Sequence, residues 1–214
     1  MRLSELLQTQ TPSKKRLSDG SVPEVFIIES LKLIDENKDH REGAVLASIL
    51  RMCGKKPLYY YIRTRAELEY IAKEFESSGY RYLHISCHGN DESLNTTLDS
   101  ISYKDFATIF KNRLDKRRIF ISACSTGNEL FAELIGAKSP GVLSVAAPVN
   151  DIDFDIAVAF WSAFYVKVFD INPKSMNSDR LAEVLKALAS LFETKIHWSR
   201  RVNDKTLTHE VIDA

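Results

Sequence analysis

Residues Arg117–Leu130 read RRIFISACSTGNEL, and the architecture we predict for the whole chain is built around them. The apolar run Ile119–Ile121 is short and β-rich, which is typical of a central strand covered on both faces of a sheet. The residues Thr126–Glu129 match a capping box, which predicts a helix start, and Thr64–Glu67 match a second one further up the chain. Cys124 would therefore lie at the carboxyl end of a strand and just before a helix, where open α/β sheets place their ligand crevices. Because a helix N-terminus also stabilises a thiolate, Cys124 is the candidate nucleophile.

Strand patterns and helix patterns alternate on both sides of this stretch. The predicted strands are 24–28, 58–62, 81–87, 119–121 and 142–147, and most are followed by an amphipathic helix. The tail over 195–211 has the pattern of an edge hairpin. Residues 90–101 and 148–155 show no period and are predicted loops. This alternation predicts an α/β domain, with a mostly parallel sheet between two helical layers.

The composition is that of one globular domain. The chain has 214 residues, of which 44% are hydrophobic, so a single core can hold a well-defined site. The formal net charge is zero, so no overall positive field predicts binding to nucleic acid or to an anionic membrane. We predict one domain over residues 23–214, preceded by a polar, flexible leader over residues 1–22.

The cysteine content and the N-terminal sequence indicate the cellular compartment in which the protein works. Three cysteines, Cys53, Cys87 and Cys124, form an odd and sparse set, which is typical of a reducing environment. The first residues carry no signal-peptide pattern, and no stretch approaches the roughly 18 apolar residues of a membrane span. The sequence therefore predicts a soluble, cytoplasmic protein.

Two reactive residues end consecutive predicted strands. His88 follows the third strand and Cys124 follows the fourth. Consecutive strands are usually neighbours, about 4.8 Å apart, so the imidazole and the thiol would meet at one edge of the sheet. That is the base and nucleophile of cysteine acyl transfer, in which His88 takes the thiol proton and later protonates the leaving amine. Gly89 permits close approach of the backbone, and the amides of Gly89 and Cys124 would face the developing oxyanion.

Other polar residues near these strand ends leave alternatives open. His84 has the strand parity of His88 and either supports it or is a satisfied core histidine. Cys87 has the opposite parity and is interpreted as a small buried hydrophobe. No metal site is expected, since Cys87, His88 and Cys124 lack a further Cys/His pair at the usual ligand spacing.

Acidic residues follow the fifth predicted strand. Asp151, Asp153 and Asp155 alternate along a loop at the same edge of the sheet as His88 and Cys124. One interpretation is a solvated loop that supplies charge to a helix N-terminus. The other is a pocket that binds a basic substrate side chain through charge-assisted contacts. The 90–101 loop is a candidate lid over this edge.

The motifs around the two strand ends resemble a known clan of peptidases. The segments HISCHG (84–89) and ISACSTG (121–127) are similar to the paired His-Gly and Ala-Cys strand ends of the caspase-like cysteine peptidases, the clan of caspases, separases and gingipains. The CHAT-type group, caspase-like domains first noted beside tetratricopeptide repeats, is the closest match. The run 141–151 and the Phe164–Tyr165 pair also look like that group's fifth strand, acidic loop and following helix. The resemblance covers roughly residues 24 to 170.

The resemblance implies a caspase-like three-layer α/β/α sandwich and a set of residue roles. His88 is the implied base, Cys124 the nucleophile and Gly89 an oxyanion-hole amide, with no metal or organic cofactor. Asp151 or Asp153 is the counterpart of the group's loop acid, because extra residues separate Asp151 from the Phe-Tyr pair. The segment 146–148, Ala-Ala-Pro, departs from the bulky Leu-Trp pair common in such domains.

The function expected from these residues and this resemblance is that of a cysteine endopeptidase acting on a protein substrate. The resemblance further suggests a regulated role in bacterial defence, such as antiviral defence, or in cell death. A regulatory protein partner is expected because the repeat array often joined to CHAT domains is missing. The alternative is a catalytically silent caspase-like module that works by binding. A hydrolase or transferase that acts on a small molecule through the same dyad is a third interpretation.

Overall fold

The computed structural model describes residues 21–203 and 206–213; residues 1–20 of the predicted leader lie outside this range. The strands are β1 (Val22–Glu29), β2 (Leu58–Tyr61), β3 (Tyr80–Ser86), β4 (His88–Gly89), β5 (Ser93–Asn95), β6 (Ser100–Ser102), β7 (Arg118–Ser122), β8 (Ser144–Pro148), β9 (Ile196–Asn203) and β10 (Thr206–Ile212). The helices are α1 (Leu33–Glu36), α2 (Glu42–Met52), α3 (Arg65–Ser78), α4 (Tyr103–Ile109), α5 (Glu129–Lys138), α6 (Phe154–Ile171) and α7 (Ser178–Leu191).

A seven-stranded sheet forms the middle layer of the domain, in the order β10-β9-β8-β7-β3-β1-β2. The five strands from β8 to β2 run parallel, while β9 and β10 form an antiparallel hairpin at one edge. Parallel strands need helical crossovers, so the alternation of strands and helices along the chain produces this arrangement. The mostly parallel sheet and the edge hairpin confirm two predictions made from the sequence.

Helices cover both faces of the sheet. On one face, α3, α4 and α5 pack against alternate strand residues through a cluster that includes Phe75, Phe106 and Phe131. On the other face, α2, α6 and α7 pack against the intervening strand residues through Leu46, Trp161 and their neighbours. Because successive strand residues point to opposite faces, each central strand is buried on both sides. The domain is therefore the three-layer α/β/α sandwich that was expected.

The helix α6 is the most apolar in the described part of the chain because it lies in the core. Phe160, Trp161, Phe164 and Tyr165 are all completely buried. Its apolar character therefore reflects packing within the domain. Among the described residues, no helix is both long enough and apolar enough to cross a bilayer.

The two predicted capping boxes had different outcomes. At the start of α3, the Thr64 hydroxyl accepts the Glu67 amide and the Glu67 carboxylate accepts the Thr64 amide, so this box is confirmed. At the start of α5, the N-cap is Asn128, and the prediction that Thr126 caps this helix was wrong. The Thr126 hydroxyl instead donates to the Ala123 carbonyl at 2.8 Å.

The position of Gly127 explains why α5 begins late. The Gly127 amide donates to the Pro148 carbonyl at 2.7 Å, and a Cβ added at Gly127 would lie only 2.4 Å from the Ala147 carbonyl oxygen. This close packing holds the chain against β8, so helical geometry cannot start before Asn128. Cys124 therefore lies outside the first turn of α5, where the helix dipole has little effect.

Residues 90–101, predicted as a structureless loop, contain two short strands. β5 pairs with β4 on one side and with β6 on the other, forming a small three-stranded sheet. The Tyr103 hydroxyl donates to the Asn90 carbonyl at 2.6 Å, which closes the base of this sheet. Strands of three residues are too short to give a periodic signal. The predicted loop was wrong on this point, and His88 itself belongs to the small sheet.

Two buried carboxylates lie between β1 and the start of α2. Glu29 is fully buried; it accepts the Gly43 amide at 2.7 Å and the Tyr59 hydroxyl at 2.6 Å. Burial is the largest influence on this group and raises the pKa of Glu29 to about 7, against the opposing effect of its two hydrogen bonds. The second carboxylate, Glu42, lies nearby and is 4% exposed.

The raised pKa of Glu29 predicts a pH-dependent stability. Between its ordinary pKa of 4.5 and about 7, the folded protein keeps a proton that the unfolded chain has lost. The contribution of Glu29 to stability is therefore present at low pH and is lost as pH rises through that window. Relative to Glu29→Gln, the wild type should lose about 2.5 kcal/mol of unfolding free energy between pH 5 and pH 8. Urea unfolding of both proteins at the two pH values measures this, and equal pH slopes would contradict it.

Candidate active site

The central strands β3 and β7 bring His88 and Cys124 to the same edge of the sheet. Ser86 pairs with Ser122 at the end of the β3–β7 register, where both strands end, and His88 and Cys124 follow two residues later in the chain. The Cys87 amide donates to the Ser122 carbonyl at 3.1 Å, so the strands stay together beyond the last register pair. Both His88 and Cys124 are partly exposed to solvent.

Gly89 lies directly against the segment that carries Cys124. A Cβ added at Gly89 would lie 3.0 Å from the Cys124 carbonyl oxygen and 2.7 Å from Cγ2 of Thr126. A residue with a side chain could not pack there without displacing one strand end from the other. Gly89 therefore permits the close approach of the His88 segment to the Cys124 segment.

A carboxylate from α1 holds the His88 ring. The Nε2 atom of His88 lies 2.7 Å from Oδ2 of Asp35, whose side chain is only 10% exposed. The Phe154 ring packs edge-on against His88, with centroids 5.4 Å apart, and also contacts His40. With Nε2–H donating to Asp35, the ring presents Nδ1 as its free acceptor. Nδ1 makes no hydrogen bond to any residue in the described part of the chain, so it is available to a reacting group.

The sequence reading missed Asp35 altogether. It lies at the third position of the four-residue α1, which directly follows β1, and β1 is the neighbour of β3 in the sheet. The available signal was an acidic residue just beyond the carboxyl end of a predicted strand. That signal alone cannot identify the distant histidine with which the carboxylate pairs.

The loop after β8 supports the turn that carries Cys124. The Cys124 thiol donates to the Ile152 carbonyl at 3.7 Å, and the Ser125 amide donates to the Asn150 carbonyl at 3.2 Å. Ser125 has a φ of 56°, in the left-handed region, which costs a residue with a side chain roughly 1–2 kcal/mol. This sharp turn lets the chain leave β7 at Cys124 and then run against β8.

The acidic loop residues lie beside this turn. Asp151 is exposed, and its Oδ1 atom accepts the Ser125 hydroxyl at 2.9 Å. Asp153 is exposed too and precedes α6 without a side-chain capping bond. Neither carboxylate forms an ion pair with a lysine or arginine of the described residues. The negative charge of both groups therefore remains available near Cys124.

His84 lies in the core, and Cys87 is half-buried and packs against the core. The Nδ1 atom of His84 lies 3.2 Å from the Tyr165 hydroxyl, and this fully buried ring does not contact His88. Burial raises the pKa of Cys87 to about 12, which makes its thiol a poor nucleophile. Within the described ranges, no three His, Cys, Asp or Glu side chains are grouped so that they could hold a metal ion.

Comparison of the whole chain with known proteins gives matches among solved structures only. No protein-family model and no curated protein sequence matches the chain. The X-ray structure of iotapain, a secreted C11 cysteine protease from Bacteroides thetaiotaomicron, matches with a TM-score of 0.51 and 10% identity, over 84% of this chain and 67% of that chain. The Arg-specific cysteine proteinase gingipain R (RgpB) matches with a TM-score of 0.51 and 18% identity, over 73% of this chain and 38% of that chain.

These similarities concern the fold. At 10% and 18% identity, the shared arrangement of sheet and helices shows that the chain has the caspase-like fold of these peptidases. The chain spans well under half the length of the gingipain chain. Neither structural neighbour belongs by its title to the CHAT-type group, so that finer assignment stays a prediction from the sequence motifs.

The packing of Gly89 predicts a specific cost of substitution. Gly89→Ala should lower the free energy of unfolding by about 1–3 kcal/mol, because the new methyl group would press on the Cys124 backbone. Gly136→Ala is a suitable control: its methyl group would press on the flexible tip of the Leu207 side chain, with the Arg201 side chain at ordinary contact distance, and Ala favours a helix interior by up to about 1 kcal/mol. Urea unfolding measures both variants. Equal stability of the two would contradict the proposed packing constraint.

Proposed function

We propose that this protein is a cysteine endopeptidase that cleaves a protein substrate through an acyl-enzyme on Cys124. The observation that carries the proposal is the His88 imidazole, bonded at 2.7 Å to Asp35, on a segment so close to Cys124 that a Cβ added at Gly89 would lie 3.0 Å from the Cys124 carbonyl oxygen. An oriented base next to a thiol on a caspase-like fold suits acyl transfer.

In this mechanism, the unbonded Nδ1 of His88 accepts the proton of the Cys124 thiol. The sulfur then attacks the carbonyl carbon of the scissile peptide bond, and the amides of Gly89 and Cys124 stabilise the oxyanion. The His88 imidazolium protonates the leaving amine, and a water activated by the same ring hydrolyses the thioester. Asp35 holds the ring in the required tautomer and stabilises the imidazolium through the Nε2–H bond.

The same proposal assigns a substrate preference to the acidic loop. Asp151 bonds to Ser125, and Ile152 accepts the Cys124 thiol, so the loop lies next to the proposed nucleophile. Asp153 adds a second exposed negative charge. These unpaired carboxylates favour a basic side chain immediately before the scissile bond, held by charge-assisted hydrogen bonds.

The cellular setting is proposed from the sequence and its resemblance. Three free cysteines, none of them in a disulfide, suit the reducing cytoplasm. The CHAT-type resemblance suggests a peptidase that a partner protein regulates, in a bacterial defence or cell-death pathway. The partner would order or release the site rather than supply its reacting groups.

The first prediction of this proposal concerns peptide cleavage. The wild type, incubated with a fluorogenic peptide library, should cleave after Arg or Lys, and Cys124→Ala should abolish cleavage because the nucleophile is removed. Cys53→Ala is the matched control: Cys53 is exposed on the surface at the end of α2, so this variant should retain full activity.

Asp151→Asn should weaken the preference for Arg or Lys before the scissile bond in the same peptide library, because it removes one of the two loop charges.

Repeating the cleavage assay in the presence of cell lysate distinguishes a regulated peptidase from a caspase-like module that works by binding. Cleavage that appears only with lysate of the source cell, and only with Cys124 present, supports a peptidase under partner control. If the wild type and Cys124→Ala are equally silent with and without lysate, the peptidase proposal is wrong and the binding-module interpretation replaces it.

The second prediction concerns Asp35. Asp35→Ala should lower kcat on the order of 10- to 100-fold with little change in KM, because the carboxylate acts on the His88 ring and not on the substrate. Asp39→Ala is the control: Asp39 lies four residues away, its side chain is 91% exposed, and its one ion pair within the described part of the chain is with Arg41. Steady-state kinetics on the best library peptide measure both variants. Unchanged kcat in Asp35→Ala would remove Asp35 from the mechanism.

A further inference from the structure

A buried carboxylate joins the two strands that carry the proposed dyad. Glu42 is the first residue of α2, and a single oxygen, Oε2, accepts the Ser86 hydroxyl at 2.9 Å and the Ser122 hydroxyl at 2.8 Å. Ser86 and Ser122 are also register partners, the last such pair between β3 and β7. The carboxylate therefore bridges the two strands at the point where they leave the sheet.

The two serines stand in the same relation to the two proposed catalytic residues. Ser86 lies two residues before His88, and Ser122 lies two residues before Cys124. A displacement of either serine would be transmitted along two peptide units to the imidazole or to the thiol. The distance between base and nucleophile thus depends on the geometry at Glu42.

The surroundings of Glu42 are unusual for a buried charged group. No lysine or arginine of the described residues pairs with it, and its second oxygen lies 3.4 Å from Nε2 of His84 without forming a hydrogen bond. Burying a carboxylate costs several kcal/mol, a partner such as His84 offsets this only with good geometry, and an apolar residue of similar volume is often at least as stable. A costly group that contacts both strand ends indicates a role in the site rather than in stability.

We propose that Glu42 is a positioning residue, which sets the distance between His88 and Cys124 through its hydrogen bonds to Ser86 and Ser122. The inference rests on the proposed peptidase function for its catalytic meaning. It does not need that function for its test, because the reactivity of the Cys124 thiol reports the same geometry directly. A misplacement of about 1 Å at a reacting group can cost on the order of 100-fold in rate.

The test compares an apolar and a conservative substitution. Glu42→Leu removes the shared acceptor and should lower kcat about 100-fold with KM nearly unchanged. Glu42→Gln should stay within about fivefold of the wild type, because its carbonyl oxygen can accept both serine hydroxyls. Rescue by glutamine would assign the effect to the hydrogen-bond acceptor and not to the negative charge.

Alkylation by iodoacetamide gives a second readout that does not depend on cleavage. In a Cys53→Ser background, the rate at Cys124 is followed from pH 6 to pH 9, since the raised pKa of the half-buried Cys87 keeps that thiol slow. With the dyad assembled, the wild type and Glu42→Gln should react at pH 6 to 7 about tenfold faster than His88→Ala. Glu42→Leu should follow the profile of His88→Ala.

Two controls separate positioning from stability. Glu29→Leu removes the other buried carboxylate at the start of α2, which bonds to Gly43 and Tyr59 and to neither serine, so it should leave the alkylation profile unchanged. If Glu42→Leu does not fold, the double variant Ser86→Ala/Ser122→Ala removes the same two bonds from the other side and should show the same slow profile.

The outcomes distinguish failure of this inference from failure of the proposed function. A folded Glu42→Leu or double serine variant with the wild-type alkylation profile would overturn the positioning role. A wild type that already reacts like His88→Ala would overturn it too, because no dyad is then assembled. A fast wild type that Glu42→Leu slows, but that cleaves no peptide, would support the positioning role and count against the peptidase.

Discussion

The parallel pairing of β3 with β7 is the constraint on which the site depends. Their register runs from Tyr82 opposite Arg118 to Ser86 opposite Ser122 in the middle of the sheet. Because the strands are parallel, their carboxyl ends lie at the same edge of the sheet. Because Ser86 pairs directly with Ser122, His88 and Cys124 follow the last paired residues at equal distances along the chain. A slip of one residue would turn one of the serines and its strand to the opposite face.

The fold keeps charged groups beneath this edge at a cost to its own stability. Glu29 and Glu42 are both buried at the start of α2, and neither pairs with a lysine or arginine of the described residues; the second oxygen of Glu42 faces the His84 ring at 3.4 Å. Amide and hydroxyl donors offset part of that cost, and the raised pKa of Glu29 shows that burial outweighs them at this residue. Carboxylates with a perturbed pKa, such as Glu29, cluster near functional sites, which is consistent with a site built on the adjacent strand ends.

The sequence predicted those features of the molecule that depend on residues close together in the chain. Periodicity located the central strands, and the Thr64 capping box located α3. The cap of α5 was predicted two residues early, because the contact that delays it joins Gly127 to β8, far away in the chain. Asp35 was missed for the same reason, since only tertiary structure pairs it with His88. The small sheet β4-β5-β6 was missed because its strands are too short to show a period.

The order of the strands explains how the residues of the candidate site are arranged. The neighbouring strands β1, β3, β7 and β8 end at one edge and are followed by Asp35, His88, Cys124 and Asp151 in that spatial order. Adjacent strands are about 4.8 Å apart, so each group is within reach of its neighbours and of few others. Asp35 follows β1 and Cys124 follows β7, the strands on the two opposite sides of β3, and Asp35 is bonded to His88. Asp151 lies on the other side of Cys124, where a substrate held at the sulfur would meet its charge. The order of parallel strands thus separates the group that orients the base from the groups that would bind the substrate.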